Sequence, residues 1–598
     1  MAVVEGVETL LAASSSRTRA LVRVALRAIE WAAPPGRLSR RSPKRASAAL
    51  RALESSRSPL RRELLASLKT FATLVYARDR RVLDAVGVSS TCTVDPDRPV
   101  PASHGDRPEP LDRASLVPAA PVEHCDVVIV GSGAGGAAAA RVLAERGIDV
   151  IVVEQGDYHD ARDYSSDPLA ALPMLYRDAG TTLCEGRPRI PLPVGRAVGG
   201  TTVINSGTCL RTPREVLERW RAEFGIEWAT ALDDEFEAVE RALDVLPVDP
   251  RTAGRNAELC RVGADALGLS NGPLPRNAGA VSRCSSCPTG CVLDAKRAVH
   301  VSELPRAVAA GARVRAGRRI ERVLVERGRA IGVGGHGYEV RARAVVLAGG
   351  ALGTPELLLG QGLANSSGAL GRHLRIHPAC WVGARFEQPV RGWEGVMQSW
   401  GVDAFADRGL FFEATASPLP FGAQGLPGVG VQLQRLIAEY DRIAVIGVHL
   451  SERSEGRVEL HGRRKRMRIA YRLRNDDARA LRFGIARAAE IHFAAGALEV
   501  YPQLARAPRI GPGEVRRIER GRARAGELRL EAFHPMGTAR MGADPRSSVV
   551  APSGECHDVP GLYVVDASLF PTSLKVNPML TIMACARQIA ATLAQRLG

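Results

Sequence analysis

The sequence predicts an α/β fold in which a parallel sheet is assembled from distant parts of the chain, together with a second α+β domain and a helical N-terminal extension. Three strand-helix units lead to this prediction. Residues 126–154 have the pattern of a strand, a glycine turn, a helix and a second strand, and strand-then-helix patterns return at 341–362 and 561–598. Strands that alternate with helices are typical of parallel sheets covered by helices.

The first unit carries a complete dinucleotide-binding pattern. Its apolar strand DVVIV is followed by Gly131, Gly133 and Gly136 in the spacing G-x-G-x-x-G. Gly131 lets the chain reverse, Gly133 lets backbone N–H groups approach a pyrophosphate, and Gly136 lets the helix pack closely on the strand. The second strand, VIVV, is followed by Glu154, whose carboxylate can accept hydrogen bonds from ribose hydroxyls. The unit therefore predicts a bound dinucleotide.

Composition and charge exclude several other classes of protein. The chain has 598 residues, of which 45% are hydrophobic and 24% charged, as in ordinary globular proteins. The net charge of +17 is carried mainly by arginine, but no nucleic-acid-binding motif accompanies it, so we expect no nucleic-acid partner. No apolar run reaches the roughly 18–20 residues of a spanning helix, and we see no export signal. We therefore expect a cytoplasmic protein with its eleven cysteines reduced.

The N-terminal region, residues 1–92, is predicted to be a basic helical extension. Residues 1–62 contain thirteen Lys and Arg against four Asp and Glu, and the apolar residues recur at helical spacing. We favour a helical cap packed on the body of the protein. The alternative is a peripheral contact with the inner face of an anionic membrane. Residues 93–121 are rich in proline and polar residues and are predicted to be a linker.

The remaining chain is predicted to form two discontinuous domains. The nucleotide-binding domain takes residues 122–214, 296–369 and 530–598, and the second domain takes 215–295 and 370–529. Within the first, residues 322–335 are predicted to form a hairpin, and GLYVVD near the C-terminus is a strand that ends in Asp566 before the long final helix.

Three more motifs accompany the glycine fingerprint. They are GRAVGGTTVINSGTCLRTP at 195–213, FHPMGTARMG at 533–542, and GLYVVDASLFPTSLKVNPMLTIMA from Gly561. In order and spacing, the four motifs resemble the glucose–methanol–choline (GMC) oxidoreductase family of flavoproteins over about residues 124–598. VNPMLT is similar to the cholesterol-oxidase ending. The 195–213 loop, CSSCPTGC and the helical extension look more like the long-chain fatty alcohol oxidases.

This resemblance implies that FAD is the cofactor and that the nucleotide-binding domain is a Rossmann-like FAD domain. The residues implied to bind FAD are Gly131, Gly133, Gly136, Glu154, Gly199, Gly200, Asn205, Asp566 and Ala567. The sequence departs from the family at Asn205-Ser206, where many members have a second glycine. This departure is expected to alter the pocket above the flavin ring.

The resemblance also implies the catalytic pair His534 and Asn577. His534 would take the hydroxyl proton of an alcohol, a role that suits a neutral imidazole near pH 7. Asn577 matches a position filled by histidine in other members, and its amide would orient the substrate oxygen. His377 and His300 are predicted to be structural.

Three further features each have two interpretations. Glu413 lies in an apolar run, and it is either an acid of the substrate pocket or a carboxylate of the core that is paired with another group. Cys284, Cys287 and Cys291 have metal-ligand spacing but no nearby fourth cysteine, so a structural loop is favoured and no metal is predicted. The arginine-rich stretch 456–474 is predicted to be a hairpin with a solvated tip, the alternative being a docking site for an acidic electron acceptor or a membrane.

Taken together, these features predict FAD-dependent oxidation of a hydrophobic, long-chain primary alcohol to its aldehyde. Alternatives are a sterol or alicyclic alcohol oxidoreductase, a flavin photodecarboxylase-like enzyme, and a non-catalytic flavin-binding relative. The sequence leaves open whether oxygen, a quinone or a cytochrome reoxidises the flavin, and whether the flavin is attached covalently.

Overall fold

The structure is a computed structural model that describes residues 2–31, 37–88, 92, 108–278, 286–521 and 524–598. The N-terminal region is helical, as predicted, with helices α1 (Ala2–Ala13), α2 (Ser16–Trp31), α3 (Pro43–Glu54), α4 (Pro59–Ala77) and α5 (Arg80–Val86). Residues 93–107 of the predicted linker lie outside the described residues. No described helix is both long enough and apolar enough to cross a bilayer.

Strands and helices alternate through the rest of the described chain. The strands are β1 (Val122–Val130), β2 (Val150–Val153), β3 (Leu183–Arg187), β4 (Ile190–Pro191), β5 (Leu246–Pro247), β6 (Asn271–Pro273), β7 (Pro275–Arg276), β8 (Arg313–Arg315), β9 (Ile320–Glu326), β10 (Arg329–Gly335), β11 (Tyr338–Leu347), β12 (Ala379–Arg385), β13 (Gln398–Val402), β14 (Leu410–Thr415), β15 (Ile443–Leu450), β16 (Gly456–His461), β17 (Arg466–Arg472), β18 (Glu499–Tyr501) and β19 (Leu562–Val564). The helices are α6 (Ala134–Ala144), α7 (Pro168–Leu175), α8 (Arg214–Phe224), α9 (Asp233–Ala242), α10 (Arg255–Ala266), α11 (Glu303–Ala309), α12 (Gly350–Gln361), α13 (Leu419–Gly422), α14 (Val431–Ala438), α15 (Asn475–Ala494), α16 (Val515–Arg520) and α17 (Met579–Leu597).

The first sheet is assembled from distant segments. Its strand order is β8-β2-β1-β11-β10-β9, and β19 pairs with β11. Strands β8, β2, β1, β11 and β19 run parallel to one another, and β9 and β10 form the predicted antiparallel hairpin. β1 and β2 are apolar because helices, among them α6 and α17, cover the sheet. This arrangement confirms the α/β class.

The second sheet is antiparallel, with the order β18-β12-β15-β14-β13-β6. Helices α10 and α15 pack against it and share its hydrophobic core. Along β14, the side chains of Phe412 and Ala414 enter that core, so Phe411 and Glu413 point to the opposite face. That opposite face carries the candidate active site.

Two segments pack away from the domain to which the sequence assigned them. Helices α8 and α9, predicted to belong to the second domain, contribute Trp220 and Phe236 to the core of the first sheet. Conversely, Cys184 and Ile190 of β3 and β4 join the core of the second sheet, and β3 pairs with β17. Packing between the domains, rather than local pattern, decides these positions. The complete set of predicted domain boundaries stays a prediction.

Candidate active site

The three fingerprint glycines lie together where β1 ends and α6 begins. Gly131 has φ +105, and a Cβ there would lie 2.3 Å from the carbonyl oxygen of Ala348. A Cβ on Gly136 would lie 2.0 Å from the oxygen of Gly131. Gly133 differs, because the nearest atom to a Cβ there is Cα of Gly200, at 4.0 Å. Gly131 and Gly136 therefore serve close packing, whereas Gly133 borders free space that a side chain would fill.

The 199–205 loop packs against this turn. Gly199 has φ +97 and donates its N–H to Oγ of Ser132 at 3.0 Å. Gly200 has φ +56, and a Cβ there would lie 2.9 Å from Cα of Gly133. The left-handed backbone and the close approach explain why this loop contains two adjacent glycines.

Glu154 lies beside the same turn and is buried. Its Oε2 accepts hydrogen bonds from N and Oγ of Ser132 at 3.0 and 2.8 Å, and its Oε1 accepts one from N of Gly156 at 2.8 Å. Burial raises the pKa of Glu154, although these hydrogen bonds oppose the shift. The backbone N–H of Gln155 also lowers this pKa, so the protein itself already supplies donors to most of the acceptor positions of the carboxylate. The predicted ribose contact stays a prediction.

Asp566 follows β19 and joins two other segments of the first domain. Its Oδ2 accepts hydrogen bonds from N of Gly350 at 2.9 Å and from Oγ1 of Thr354 at 2.6 Å. The carbonyl oxygen of the next residue, Ala567, accepts one from N of Gly537 at 3.0 Å, within the HPMGT motif. These bonds tie the motif to the carboxyl end of the sheet, where ligands bind in open α/β folds.

Asn205 has an acceptor that fits a polar cofactor ring. Its Nδ2 lies 3.1 Å from Sδ of Met579, while its buried Oδ1 has no hydrogen-bond partner in the described residues. Burying an unpaired acceptor is unfavourable, so a ligand donor at this position would be stabilising. Together with the free space at Gly133 and the N-terminus of α6, this chemistry fits a flavin dinucleotide.

His534 and Asn577 lie together on the wall of one small cavity. The cavity is lined by His377, Phe411, His449, Leu450, Ser451, His534, Lys575, Val576 and Asn577. Asn577 precedes α17, only two residues before Met579, which contacts Asn205. The cavity therefore adjoins the segment that carries a predicted FAD-binding residue.

Two isolated bridges bring His377 next to His534. Arg375 pairs with Met536 and Ala379 pairs with Glu531 in antiparallel fashion, which sets the two histidines opposite each other. Their ring centroids are 5.4 Å apart and nearly perpendicular. His377 has φ +48, a left-handed conformation that is unfavourable for a residue with a Cβ and is found where a site requires it.

Hydrogen bonds define the tautomers of these two rings. The backbone N–H of Leu574 donates to Nε2 of His377 at 3.1 Å, so neutral His377 carries its hydrogen on Nδ1. That Nδ1 lies 3.3 Å from Nδ1 of His534, which must then accept. Burial lowers the pKa of His377 to about 3. Burial and the neighbouring histidines lower the pKa of His534 well below its usual value, so both rings are neutral at pH 7.

His449 is the third histidine of the cavity. It lies on β15 opposite Phe411 of β14, and its ring lies 5.9 Å from that of His534 at an interplanar angle of 24°. Its Nε2 lies 2.8 Å from Oε2 of Glu413, whose side chain is completely buried. Burial alone would lower the pKa of His449, but the charge and hydrogen bonding of Glu413 together with the charge of Glu531 outweigh it and raise the pKa.

Glu452 supports the strained backbone at His377. Its Oε1 accepts hydrogen bonds from N of Ile376 at 2.6 Å and from N of His377 at 3.3 Å. Glu452 is buried, and burial raises its pKa from 4.5 to about 7. Glu452 thus holds the backbone at His377, and His377 in turn fixes the tautomer of His534.

The raised pKa of Glu452 predicts a pH-dependent stability. The folded protein binds this proton more tightly than the unfolded chain, so the contribution is complete below about pH 4.5 and is lost as pH rises through about 7. Between these limits we expect wild type to lose about 2–3 kcal/mol of unfolding free energy relative to Glu452→Gln. Urea unfolding at pH 4.5 and 8 measures the difference. The exposed Glu326→Gln is the control, and equal pH dependence in wild type and Glu452→Gln would contradict the assignment.

The cysteine cluster and the arginine-rich stretch 456–474 are two further features that the sequence singled out. Cys284 lies outside the described residues; Cys287 is buried beside Met397, and Sγ of Cys291 accepts the N–H of Lys296 at 3.3 Å. Among the residues that the structure describes, no group of three or more His, Cys, Asp or Glu side chains is arranged to hold a metal ion. The hairpin predicted within 456–474 is confirmed by β16 and β17.

Comparison with known proteins identifies the family. Family models for the GMC oxidoreductases match residues 172–379 and 452–586, and an FAD binding domain model matches residues 126–170. An uncharacterised GMC-type oxidoreductase of Mycobacterium tuberculosis is 40% identical, covering 78% of this chain and 76% of the relative. The chain belongs to the GMC oxidoreductase family. It is therefore an FAD-dependent oxidoreductase that acts on CH–OH donors.

Other relatives extend the comparison. A long-chain-alcohol oxidase of Arabidopsis thaliana, FAO4B, is 30% identical, covering 79% of this chain and 68% of that protein. Among solved structures, a formate oxidase of Aspergillus oryzae has a TM-score of 0.61 at 17% identity, and a pyridoxine 4-oxidase from Mesorbium loti 0.57 at 19%. They cover 79% and 78% of this chain and 98% of each structure. At these identities the two structures show similarity of fold.

Several residues that the sequence singled out lie close together in the structure. The structure brings Gly131, Gly133, Gly136, Glu154, Gly199 and Gly200 to one place, and His534 with Asn577 to the cavity. His449 was not predicted from the sequence, because a lone histidine in a strand carries no local signal. His377 was interpreted as structural, yet it lines the cavity and contacts His534. Ala379, two residues after His377, pairs with Glu531, and this long-range pairing cannot be predicted from the sequence.

Proposed function

We propose that this GMC oxidoreductase converts a long-chain primary alcohol to its aldehyde. The observation that carries the proposal is the cavity at His534 and Asn577, where Phe411, Leu450 and Val576 supply the apolar part of a lining whose other six residues are polar. The 30% identity to an Arabidopsis protein described as a long-chain-alcohol oxidase supports it. The apolar side chains suit an alkyl chain, and the polar groups suit its terminal hydroxyl.

In this proposal, the chain's own residues hold the hydroxyl and move its proton. Asn577 and His534 contact the substrate oxygen, and the Asn577 amide stabilises negative charge that develops there. A neutral imidazole of the cavity accepts the hydroxyl proton, a role that the sequence assigned to His534. When bound, FAD accepts the hydride of the carbinol carbon. The residues that would hold it are those of the glycine turn, the 199–205 loop and Asp566.

Anaerobic mixing of the FAD-loaded protein with different alcohols tests the substrate class. We expect dodecanol to bleach the visible flavin absorption much faster than cholesterol or glucose, because a flexible chain can lie along the apolar side chains of the cavity while its terminal hydroxyl meets the polar ones. Dodecanol and its shorter homologues form a matched series in which chain length alone changes. Faster bleaching by cholesterol would favour the sterol alternative and contradict the proposal.

We also propose that the N-terminal extension lies on anionic membrane lipids at the inner face of the membrane. Helix α2 packs inward through Val22, Ala25 and Ile29, each no more than 6% exposed. Its outward face is also apolar, since Leu21 is 45%, Val24 61% and Trp31 61% exposed. The arginines of residues 1–62 give this region a positive charge. An exposed apolar face in a basic region is typical of helices that bind membrane surfaces.

Vesicle sedimentation tests the membrane contact. We expect the protein to sediment with vesicles that contain phosphatidylglycerol and less with phosphatidylcholine alone, because arginines attract anionic lipids. Leu21→Asp should weaken binding by about 10-fold, since burying a leucine contributes about 1.5–3 kcal/mol. Leu267→Asp is the matched control, because Leu267 is 43% exposed on another surface. Equal binding of both variants and wild type, or no binding at all, would contradict the contact.

A further inference from the structure

Three histidines face the cavity, but they do not offer the same atom to a substrate. A proton acceptor needs a nitrogen with a free lone pair. Neutral His377 uses Nε2 to accept the N–H of Leu574 and carries its hydrogen on Nδ1. Neither nitrogen of His377 is therefore available to take a proton from an alcohol.

The same reasoning applies to His534. Its Nδ1 faces the N–H of His377 at 3.3 Å, so the lone pair of Nδ1 is used and the hydrogen of neutral His534 is on Nε2. To accept a proton at Nε2, neutral His534 would need its hydrogen on Nδ1. His377 would then have to accept that hydrogen at its own Nδ1 while it also accepts the N–H of Leu574 at Nε2. A neutral imidazole has only one acceptor nitrogen. In this hydrogen-bond arrangement, His534 reaches a substrate oxygen as a donor.

His449 has the opposite arrangement. The Glu413 carboxylate accepts hydrogen bonds, so the hydrogen of neutral His449 is on Nε2, which lies 2.8 Å from Oε2 of Glu413. Its Nδ1 keeps the lone pair, and no described residue is hydrogen-bonded to it. His449 lines the same cavity as His534 and Asn577. Glu413 thus orients His449 and stabilises its protonated form, as the acid of a Ser-His-Asp triad does for its histidine.

Neighbouring residues hold Glu413 in this role. Gln398 accepts hydrogen bonds at Oε1 from the hydroxyls of Ser206 and Thr208, the latter at 2.7 Å. This orients the Gln398 amide so that its Nε2 donates to Oε2 of Glu413 at 3.2 Å. Opposite Glu413 on β15 stands Gly447, where a Cβ would lie 3.5 Å from Nε2 of His449. Ser206, the residue at which the sequence departs from the family, therefore belongs to the support of the Glu413–His449 pair.

We infer that His449, oriented by Glu413, is the proton acceptor of the reaction and that His534 holds the substrate oxygen as a hydrogen-bond donor. The O–H bond breaks, its proton goes to Nδ1 of His449, and its electron pair stays on oxygen to form the carbonyl bond as the carbinol hydride leaves to the acceptor named above. This inference rests on the proposed alcohol oxidation and changes the role that the sequence assigned to His534. His449 is then a catalytic residue, and Glu413 is a positioning residue.

The first test observes the tautomers directly, in protein with and without FAD. NMR of protein labelled with ¹⁵N at histidine distinguishes an Nε2-bound from an Nδ1-bound hydrogen. We expect His534 and His449 to be Nε2-protonated and His377 to be Nδ1-protonated. His534→Gln and His449→Gln identify the signals. An Nδ1-protonated His534 would overturn the inference, whatever the enzyme's activity.

The second test uses anaerobic flavin bleaching. His449→Gln should bleach at least about 10²-fold more slowly than wild type, as expected when a general base is lost. His534→Gln, which keeps an N–H donor, should be faster than His534→Ala. The exposed His336→Gln is the control, and retained FAD with an unchanged circular dichroism spectrum shows that each variant is folded. Wild-type bleaching by His449→Gln would overturn the inference; if His449→Gln does not fold, the tautomer measurement decides.

The pH profile tests the positioning role of Glu413. The charged or titratable groups around His449 are Glu413, Glu531, His377 and His534, with Lys575 on the same cavity wall. Because the charge of Glu413 raises the pKa of His449, Glu413→Gln should move the acid limb of kcat/KM to lower pH. An unmoved acid limb would contradict the role. If wild type is reduced by an alcohol other than dodecanol, the proposed substrate fails, but both tests proceed with that alcohol.

Discussion

Replacing His534 by alanine should slow reduction of the bound flavin by dodecanol by about 10²-fold or more. A positioned imidazole that donates a hydrogen bond to the reacting oxygen, or exchanges its proton, contributes about 10²–10⁴-fold. His534 shares the cavity wall with Asn577, and its ring is held by His377 on one side and stacked on His449 on the other. Alanine removes the ring and leaves the N–H of His377 without an acceptor.

Stopped-flow bleaching under anaerobic conditions measures this effect on the reductive half-reaction alone. The control is His336→Gln, which removes an exposed histidine far from the cavity in sequence. Thermal unfolding and the amount of bound FAD are measured for each variant, so that destabilisation by the unpaired N–H of His377 is distinguished from a loss of catalysis. Bleaching of His534→Ala at the wild-type rate would remove this residue from the mechanism, including the donor role inferred above.

Replacing Gly133 by valine should give a folded protein that binds FAD much more weakly than wild type. Gly133 has φ −69, which any residue adopts, and its nearest neighbour to a new Cβ is 4.0 Å away. The valine methyl groups would instead fill the free space in front of the turn. Loss of one or two charge-assisted hydrogen bonds to phosphate, about 1.5–3 kcal/mol each, would lower FAD affinity by about 10²-fold.

Gly136 and Gly272 provide the contrasts for this variant. Gly136→Val should fail to fold or melt far below wild type, because its Cβ would lie 2.0 Å from the backbone oxygen of Gly131. Gly272→Ala should behave as wild type, since no atom lies within 4 Å of its Cβ. Titration of apo protein with FAD, with circular dichroism as the folding measure, separates the cases. Wild-type FAD affinity of Gly133→Val would contradict the proposed phosphate position.

The sequence predicted the parts of the fold that have local patterns. Apolar runs followed by glycine turns gave β1, β2 and β11 with their helices, because burial on both faces of a parallel sheet leaves a continuous hydrophobic signal. The amphipathic N-terminal helices and the β16–β17 hairpin followed from periodicity in the same way. The position of α8 and α9 could not be predicted, because an amphipathic pattern indicates that a helix packs on a core but not on which core.

The candidate site was predictable only where a motif marks it. His534 and Asn577 lie in recognisable motifs, and the structure places them on one cavity wall. Glu413 was noticed as an acid in an apolar strand, but its partner His449 lies on the next strand, β15, and only the antiparallel register of β14 and β15 brings them together. Contacts of this kind are long-range and leave no trace in a single sequence.

Single-turnover oxidation of dodecanol tests the central claim most directly. FAD-loaded protein is mixed with dodecanol without oxygen, and the loss of flavin absorption is compared with the dodecanal formed. We predict that bleaching is complete and that one molecule of dodecanal appears for each flavin reduced. Bleaching without aldehyde, or an unchanged flavin spectrum in the presence of excess dodecanol, would contradict the proposal that this chain oxidises long-chain alcohols.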